Sequence, residues 1–249
     1  MKRLLLTLGI LLFAVSSMAA EDAAIAQAVA NPARPAEDRA RDVNRKPADV
    51  LAFFDIKPGM RVLDIFAGGG YYTEILSYLV GEEGRVTLFN NGSWDNFVNA
   101  GVDERLAGNR LPNVDSMVAE PDDMAFTPDS YDAAIFVLGF HDLYYADTGW
   151  PAIDADSFLA KIFTSIKPGG VLGIVDHASE PGASLAVANT LHRIDPGIIR
   201  VDMTQAGFVF DGELDVLRNE QDDRNLPMSD PSVRGTTDRI VYRFRKPIR

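Results

Sequence analysis

The residues best suited to chemistry in this chain are its three histidines, each beside a polar neighbour: His141 in Gly139-Phe140-His141-Asp142, His177 in Asp176-His177, and His192 in Leu191-His192-Arg193. Histidine is the side chain that exchanges a proton near neutral pH. His141 or His177 can therefore deprotonate an acceptor hydroxyl or amine, with Asp142 or Asp176 orienting the ring. The spacing matches no metal-ligand motif, so no metal is expected. With no cysteine in the chain, thiol nucleophiles, cysteine zinc sites, iron–sulfur clusters and disulfides are excluded. No Gly-x-Ser-x-Gly elbow is present, which argues against a serine hydrolase.

These histidines need a scaffold, and the pattern of apolar runs supplies one. Short runs at 61–66, 85–89, 114–118, 131–138 and 171–175 read as buried strands. Helical spacing separates them at 72–79, 94–106 and 158–166, and Lys167-Pro168-Gly169-Gly170 ends the last of these. Asp195-Pro196 caps and starts a further helix, and strands at 208–217 and 239–244 finish the chain with no helix between them. The expected fold is α/β: a Rossmann-like, doubly wound, mostly parallel seven-stranded sheet ending in an antiparallel hairpin, with helices at the N-terminus. His141 and His177 then follow strands four and five, at the carboxyl ends where such sheets keep their ligands. His192 can fold back to the same end.

The 249 residues suffice for one full core, and the formal charge of −12, with no basic stripe, argues against a nucleic-acid partner. Residues 1–19 read as a secretory signal peptide: Lys2 and Arg3, an apolar stretch from Leu4 to Val15, then small residues. The stretch is short for a membrane span, and no later segment is apolar enough to be one. The expected location is therefore exported, periplasmic or extracellular, with no membrane attachment after cleavage. Residues 20–57 form an N-terminal helical segment and 58–249 the main domain. The one basic segment, Arg39, Arg41, Arg45 and Lys46, reads as a solvated helix face. The long polar stretch from Arg218 to Asp238 leaves the sheet on the site side and reads as either a lid or pocket wall, or a solvated loop.

The chain resembles the class I S-adenosylmethionine-dependent methyltransferases through Val62-Leu63-Asp64-Ile65-Phe66-Ala67-Gly68-Gly69-Gly70, and by element order from about Arg39 to Pro247. It is most similar to exported bacterial proteins of that family that share Arg39-Ala40-Arg41-Asp42, Arg45-Lys46-Pro47 and Arg245-Lys246-Pro247. Physically, a strand delivers the chain to a turn whose bare backbone and following helix N-terminus face a ligand. The resemblance implies S-adenosylmethionine as cofactor, S-adenosylhomocysteine as product and a small-molecule acceptor. It implies cofactor contacts from Asp64, Phe66, Ala67, Gly68, Gly70 and Tyr71, ribose contacts from Asn90, and adenine contacts from Glu120, Asp122 and Asp123.

Three departures stand out. Phe66 replaces the family's first glycine and is expected to narrow the pocket. Asn90 replaces the acid that holds the ribose, leaving an uncharged amide. Pro121 lacks the N–H expected at the adenine. A dinucleotide oxidoreductase fits less well, since it also wants the acid and a glycine where Thr73 stands. The rings of Phe66, Tyr71 and Tyr72 lie by the turn, to face a sulfonium or simply to pack helix on sheet. Because S-adenosylmethionine is charged and made in the cytoplasm, two alternatives stay open: an exported ligand-binding protein on this fold, and a histidine-based or metal-dependent enzyme.

Overall fold

The computed structural model describes residues 20–248. The signal-peptide reading, at 1–19, lies outside the described residues. Helical turns over 20–29 (α1) precede α2 (Ala36–Arg45) and α3 (Pro47–Phe53). The alternation then runs β1 (Arg61–Ile65), α4 (Tyr71–Val80), β2 (Arg85–Asn90), α5 (Gly92–Leu106), β3 (Val114–Val118) and β4 (Tyr131–Val137). It continues with α6 (Ala155–Ser165), β5 (Ile166–His177), α7 (Ala186–Leu191), α8 (Pro196–Gln205), β6 (Val209–Glu213) and β7 (Arg239–Arg245).

The sheet has seven strands in the order β3-β2-β1-β4-β5-β7-β6. All pairs are parallel except those of β7, which runs antiparallel to both β5 and β6. The order reverses between β1 and β4, so the crevice expected of a doubly wound sheet opens at their carboxyl ends. Two apolar clusters cover its faces. One joins Leu63, Phe89, Phe136, Phe158 and Ile162; the other joins Val62, Ile75, Leu76, Ile135 and Val175. A side chain of this kind, fully withdrawn from water, contributes about 1.5–3 kcal/mol.

The 20–57 segment shares the second cluster through Ile25, Val50, Leu51 and Phe54, so it is built on the same core as the sheet. Among the described residues, no helix is long and apolar enough to cross a membrane. Helix α8 starts as its sequence requires: the Asp195 side chain accepts from the Gly197 N–H, with Pro196 in the first turn.

Two boundaries differ from expectation. β5 begins at Ile166, before the Pro-Gly-Gly run, because Ile166 pairs with Tyr131 before an irregularity shifts the register to Ala133 and Val171. The strand expected over 208–217 stops at Glu213, after a register shift between Phe210 and Gly212. A 3₁₀ turn takes Asp215–Leu217.

Candidate active site at the sheet switch point

The site begins where β1 ends. Phe66 sits at φ +48°, a left-handed conformation that costs a non-glycine residue about 1–2 kcal/mol. Leu138, just past β4, is left-handed too, at φ +59°. Non-glycine residues held this way persist only where their surroundings impose it. Here the turn of backbone sends the Phe66 ring into the core, with centroids 5.7 Å from Phe89, 5.4 Å from Phe136 and 5.4 Å from Phe158. The expected narrowing of the pocket by this ring is therefore corrected: the ring is buried in the core, although the residue still borders the pocket.

The glycine turn is held from beneath. Asn90 Oδ1 accepts from the Gly68 N–H at 2.9 Å, and Asn90 Nδ2 donates to the Gly68 carbonyl at 3.0 Å. Arg105 Nε donates to the Gly69 carbonyl at 2.6 Å. The Asn90 amide, buried and engaged in this pair, positions the turn; that is a correction to its expected freedom to meet ribose hydroxyls. Asp64 is likewise buried and accepts from Thr73 Oγ1 on α4 at 2.6 Å. Burial pushes its carboxyl up to about 7, against the opposing Thr73 hydrogen bonds. It ties β1 to α4 under the turn.

A cavity of about 240 Å³ lies over this backbone, lined by Ala67, Gly68, Gly69, Tyr71, Trp94 and Arg105 among others. At Gly69 an added Cβ would meet nothing within 4 Å, and at Gly68 only Trp94, 3.8 Å away. The backbone is thus open to a ligand. Gly70 serves α4 instead, at φ +78° as its N-cap, where a Cβ would lie 3.0 Å from Arg105.

Tyr71 borders the same cavity. Its hydroxyl donates to Asp42 at 2.5 Å, and the guanidiniums of Arg41 and Arg45 lie 5.1 and 4.5 Å from its ring centroid. The basic segment therefore splits. Arg39, Arg41 and Lys46 are solvent-exposed as expected and Arg45 is half-buried, which overturns the solvated-face reading for Arg45, and both Arg41 and Arg45 border the cavity. Their spacing of four residues on one helix was the available signal. Tyr72 is packed edge-on to Tyr71, 5.0 Å between centroids, beneath the surface.

Glu120, Asp122 and Asp123 are exposed. They border a separate cavity with Pro121 and Ile153 that shares no lining residue with the one over the glycine turn. Glu120 accepts from the Gly92 N–H at the start of α5 at 3.1 Å. Trp94, from α5, was not anticipated; its Nε1–H donates to Asp142 Oδ2 at 3.2 Å.

The three histidines do converge. Ring centroids of His141 lie 6.0 Å from His177 and 5.5 Å from His192. His141 is buried between carboxylates, with Nδ1 2.8 Å from Asp176 Oδ1 and Nε2 3.3 Å from Asp142 Oδ1. Burial lowers its pKa, but Asp176 and Asp142 outweigh this and hold it up at about 9. His141 is therefore charged at neutral pH and unsuited to be the base. Burial raises the Asp142 carboxyl to about 6, against the pull of His141.

His177 is the reverse case. Its Nδ1 lies 2.6 Å from Thr237 Oγ1, and burial pulls its pKa down to about 3, against Asp176 and assisted by charged His141. It is neutral at pH 7 and borders a further cavity next to the first. His192, left-handed at the end of α7, stacks on Tyr145 at 4.8 Å. His141, Asp142 and His192 offer ligand atoms within 4.8 Å of one another, a two-histidine, one-carboxylate set that sequence spacing did not disclose. The His141–Asp176 pair balances the charge of this cluster internally.

The 218–238 stretch is docked onto this end of the sheet. Arg193 is completely buried and forms a two-pronged pair with Asp222 at 2.7 and 3.0 Å. Asp238 receives Arg218 at 2.8 Å and Arg224 at 3.0 Å. Of the two readings of this stretch, pocket wall is the one its geometry supports, through Met228 and Arg234.

Comparison with known proteins points the same way. Residues 44–91 match the protein-L-isoaspartate(D-aspartate) O-methyltransferase family. The ubiquinone/menaquinone biosynthesis C-methyltransferase UbiE of Shewanella piezotolerans is 28% identical over 120 residues, covering 48% of this chain and 43% of that protein. Its counterpart from Vibrio vulnificus is 30% identical over 122 residues, covering 48% and 42%. The chain spans about half the length of the curated relatives it matches. Among solved structures, an S-adenosylmethionine-dependent methyltransferase from Aquifex aeolicus superposes with TM-score 0.56 at 21% identity, over 79% of this chain and 87% of that one. Phosphoethanolamine N-methyltransferase 2 of Haemonchus contortus, in complex with S-adenosyl-L-methionine, gives 0.57 at 18%, over 83% and 52%. At these identities the structural likeness speaks to the fold, and it bears out the resemblance read from the sequence.

Proposed function

We propose that this chain, whose fold is that of the class I S-adenosylmethionine-dependent methyltransferases, transfers a methyl group from S-adenosylmethionine to a small-molecule acceptor. The observation that carries this reading is the open backbone of Gly68 and Gly69 at the switch point, beside a second cavity that carries neutral His177. Ala67, Gly68, Gly69 and Tyr71 would hold the cofactor, with Arg45 available to its carboxylate. When bound, S-adenosylmethionine supplies a methyl carbon on a cationic sulfur that leaves as a neutral thioether with the electron pair of the broken bond.

The remaining work falls to alignment and to one proton. Asn90 and Arg105 fix the turn against which the cofactor lies. His177 is neutral at pH 7, its pKa pulled down so far that it is too weakly basic to hold a proton; it meets the acceptor hydroxyl or amine as a hydrogen-bonding partner, and the acceptor's proton passes to solvent. Thr237 holds the Nδ1 side of its ring. The His141–Asp176 pair sets the charge behind it and orients the strand end. His141 and Asp142 are positioning residues in this scheme.

The same reading places the mature protein outside the cytoplasm, on the strength of residues 1–19; fractionation of cells expressing the full chain, with the mass of the mature N-terminus, tests it. Calorimetric titration with S-adenosylmethionine and S-adenosylhomocysteine tests the cofactor. Micromolar binding, about −8 kcal/mol, is expected for both. Absence of binding up to millimolar concentration refutes the proposal.

A further inference from the structure

The cavity that His177 borders, of about 410 Å³, is ringed by four guanidiniums: Arg41, Arg45, Arg234 and Arg239. That is an unusual concentration in a chain of net charge −12. Most acids near it are already engaged. Asp42 receives Arg34 at 2.8 Å and the Tyr71 hydroxyl at 2.5 Å. Asp38 is shared by Arg41 and Arg105. Asp238 faces Arg218 and Arg224, and Asp222 faces Arg193.

Apart from Arg41, the cavity arginines are left with neutral partners. Arg239 is buried and donates only to carbonyls: Asn44 at 2.7 Å, Thr237 at 3.2 Å and Gly235 at 3.4 Å. Arg45 lies over the Tyr71 ring, and Arg234 reaches the cavity from an exposed turn. Among the described residues, none of these three has a carboxylate within salt-bridge distance. A guanidinium withdrawn from water without a counter-charge is costly, and a bound anion relieves that cost through paired, charge-assisted hydrogen bonds.

Position separates this cavity's task from that of its neighbour. The two share Arg41, Arg45, Trp94 and Leu138 as a common wall. Arg234, Arg239 and His177 belong only to the outer one. A cofactor lying on the glycine turn brings a single carboxylate, for which Arg45 suffices. Arg234 and Arg239 then remain in the outer cavity beside His177, where Met228 and Ala40 offer apolar contact. We propose that this outer cavity binds the methyl acceptor by an anionic group, a carboxylate or a phosphate, held by Arg234 and Arg239, so that the rest of the molecule lies along His177 toward the glycine turn. The inference deepens the methyltransferase reading and rests on it for the word acceptor, but the anion site can be tested alone.

The test uses the mature chain and its intrinsic fluorescence, since Trp94 borders both cavities and Trp150 is the only other tryptophan. Inorganic pyrophosphate is titrated at constant ionic strength, and succinate is titrated in parallel to separate a phosphate preference from a carboxylate one. Saturable binding of at least one probe is expected, weakened about tenfold or more in both Arg234→Ala and Arg239→Gln. S-adenosylhomocysteine affinity, measured by calorimetry, should be unchanged in Arg234→Ala. Arg234 is exposed, so that variant stays informative should Arg239→Gln fail to fold. Failure of both probes to saturate, or equal affinity in wild type and Arg234→Ala, overturns the proposal. Competition between probe and S-adenosylhomocysteine, with both weakened by Arg234→Ala, also overturns it, because the guanidiniums would then serve the cofactor. If the probe binds as expected while S-adenosylhomocysteine does not bind wild type, the anion site stands and the methyl-transfer reading falls.

Discussion

Removing Arg193 should undo the docking of the 218–238 stretch. Its guanidinium is fully buried and donates four hydrogen bonds, two to Asp222, one to the Ala178 carbonyl at 3.0 Å and one to the Leu226 carbonyl at 2.8 Å. Asp222 is buried as well and also accepts from the Asp238 N–H at 2.6 Å. In Arg193→Met the stem is kept, but Asp222 is stranded as an unpaired buried charge and two carbonyls lose a donor. Breaking one half of such a pair costs about 3–5 kcal/mol. For a domain of this size that corresponds to a melting temperature lower by about 6–20 °C. Because the stretch carries Arg234 to the cavity, pyrophosphate binding should weaken alongside. The double variant Arg193→Met/Asp222→Leu removes the stranded charge and should recover a good part of the stability. Urea denaturation of wild type, both singles and the double gives the cycle. A loss below about 1 kcal/mol in Arg193→Met, or a double variant as unstable as the sum of the singles, would refute the reasoning.

Other outcomes follow from the turn and from the buried titrating groups. Asn90→Asp removes the donor to the Gly68 carbonyl and sets a carboxylate against that oxygen; S-adenosylhomocysteine affinity by calorimetry should fall about tenfold, and tighter binding would count against the clamp. Phe66→Gly relieves the left-handed strain, about 1 kcal/mol, but empties a place in the aromatic cluster worth about 3–5 kcal/mol. A net loss near 2–4 kcal/mol is expected in urea, and a gain would mean the ring is not core. His177 is neutral in the folded protein, with its pKa depressed to about 3, and titrates near 6.5 once unfolded. Its contribution to stability is present above pH 6.5 and is lost as pH falls toward 3, at up to about 1.4 kcal/mol per pH unit. The His177→Asn variant should show a shallower fall in urea midpoint between pH 6 and 4, and parallel curves would contradict the assignment. Asp64 runs the other way. Its carboxyl is raised to about 7, so wild type loses stability as pH rises from about 4 to 7. Asp64→Asn should lack that loss when thermal midpoints are compared at pH 5 and pH 8.

Much of the architecture is local information. Buried strands announce themselves as short apolar runs, and the cap at Asp195 with Pro196 needs only two adjacent residues to start α8. The absence of a helical segment before the last strand is enough to require antiparallel pairing of β7. The glycine turn after β1 and the clustering of His141 and His177 at strand ends are legible for the same reason, since parallel strands all present their carboxyl ends on one edge.

What the tertiary structure alone decided is direction and partnership. Whether the Phe66 ring faces pocket or core depends on the sign of one φ angle, imposed by the packing of Phe89, Phe136 and Phe158. The Asn90 amide looks free for a ligand until the Gly68 backbone, 22 positions away, is seen to occupy it. His192 joins the other histidines only through the left-handed turn that closes α7. Arg239 meets the Asn44 carbonyl across 195 positions, and such a contact leaves no periodic trace in either segment. Patterning reports which face of an element is apolar; the counter-charge of a buried arginine is set by whatever remote segment the fold brings against it.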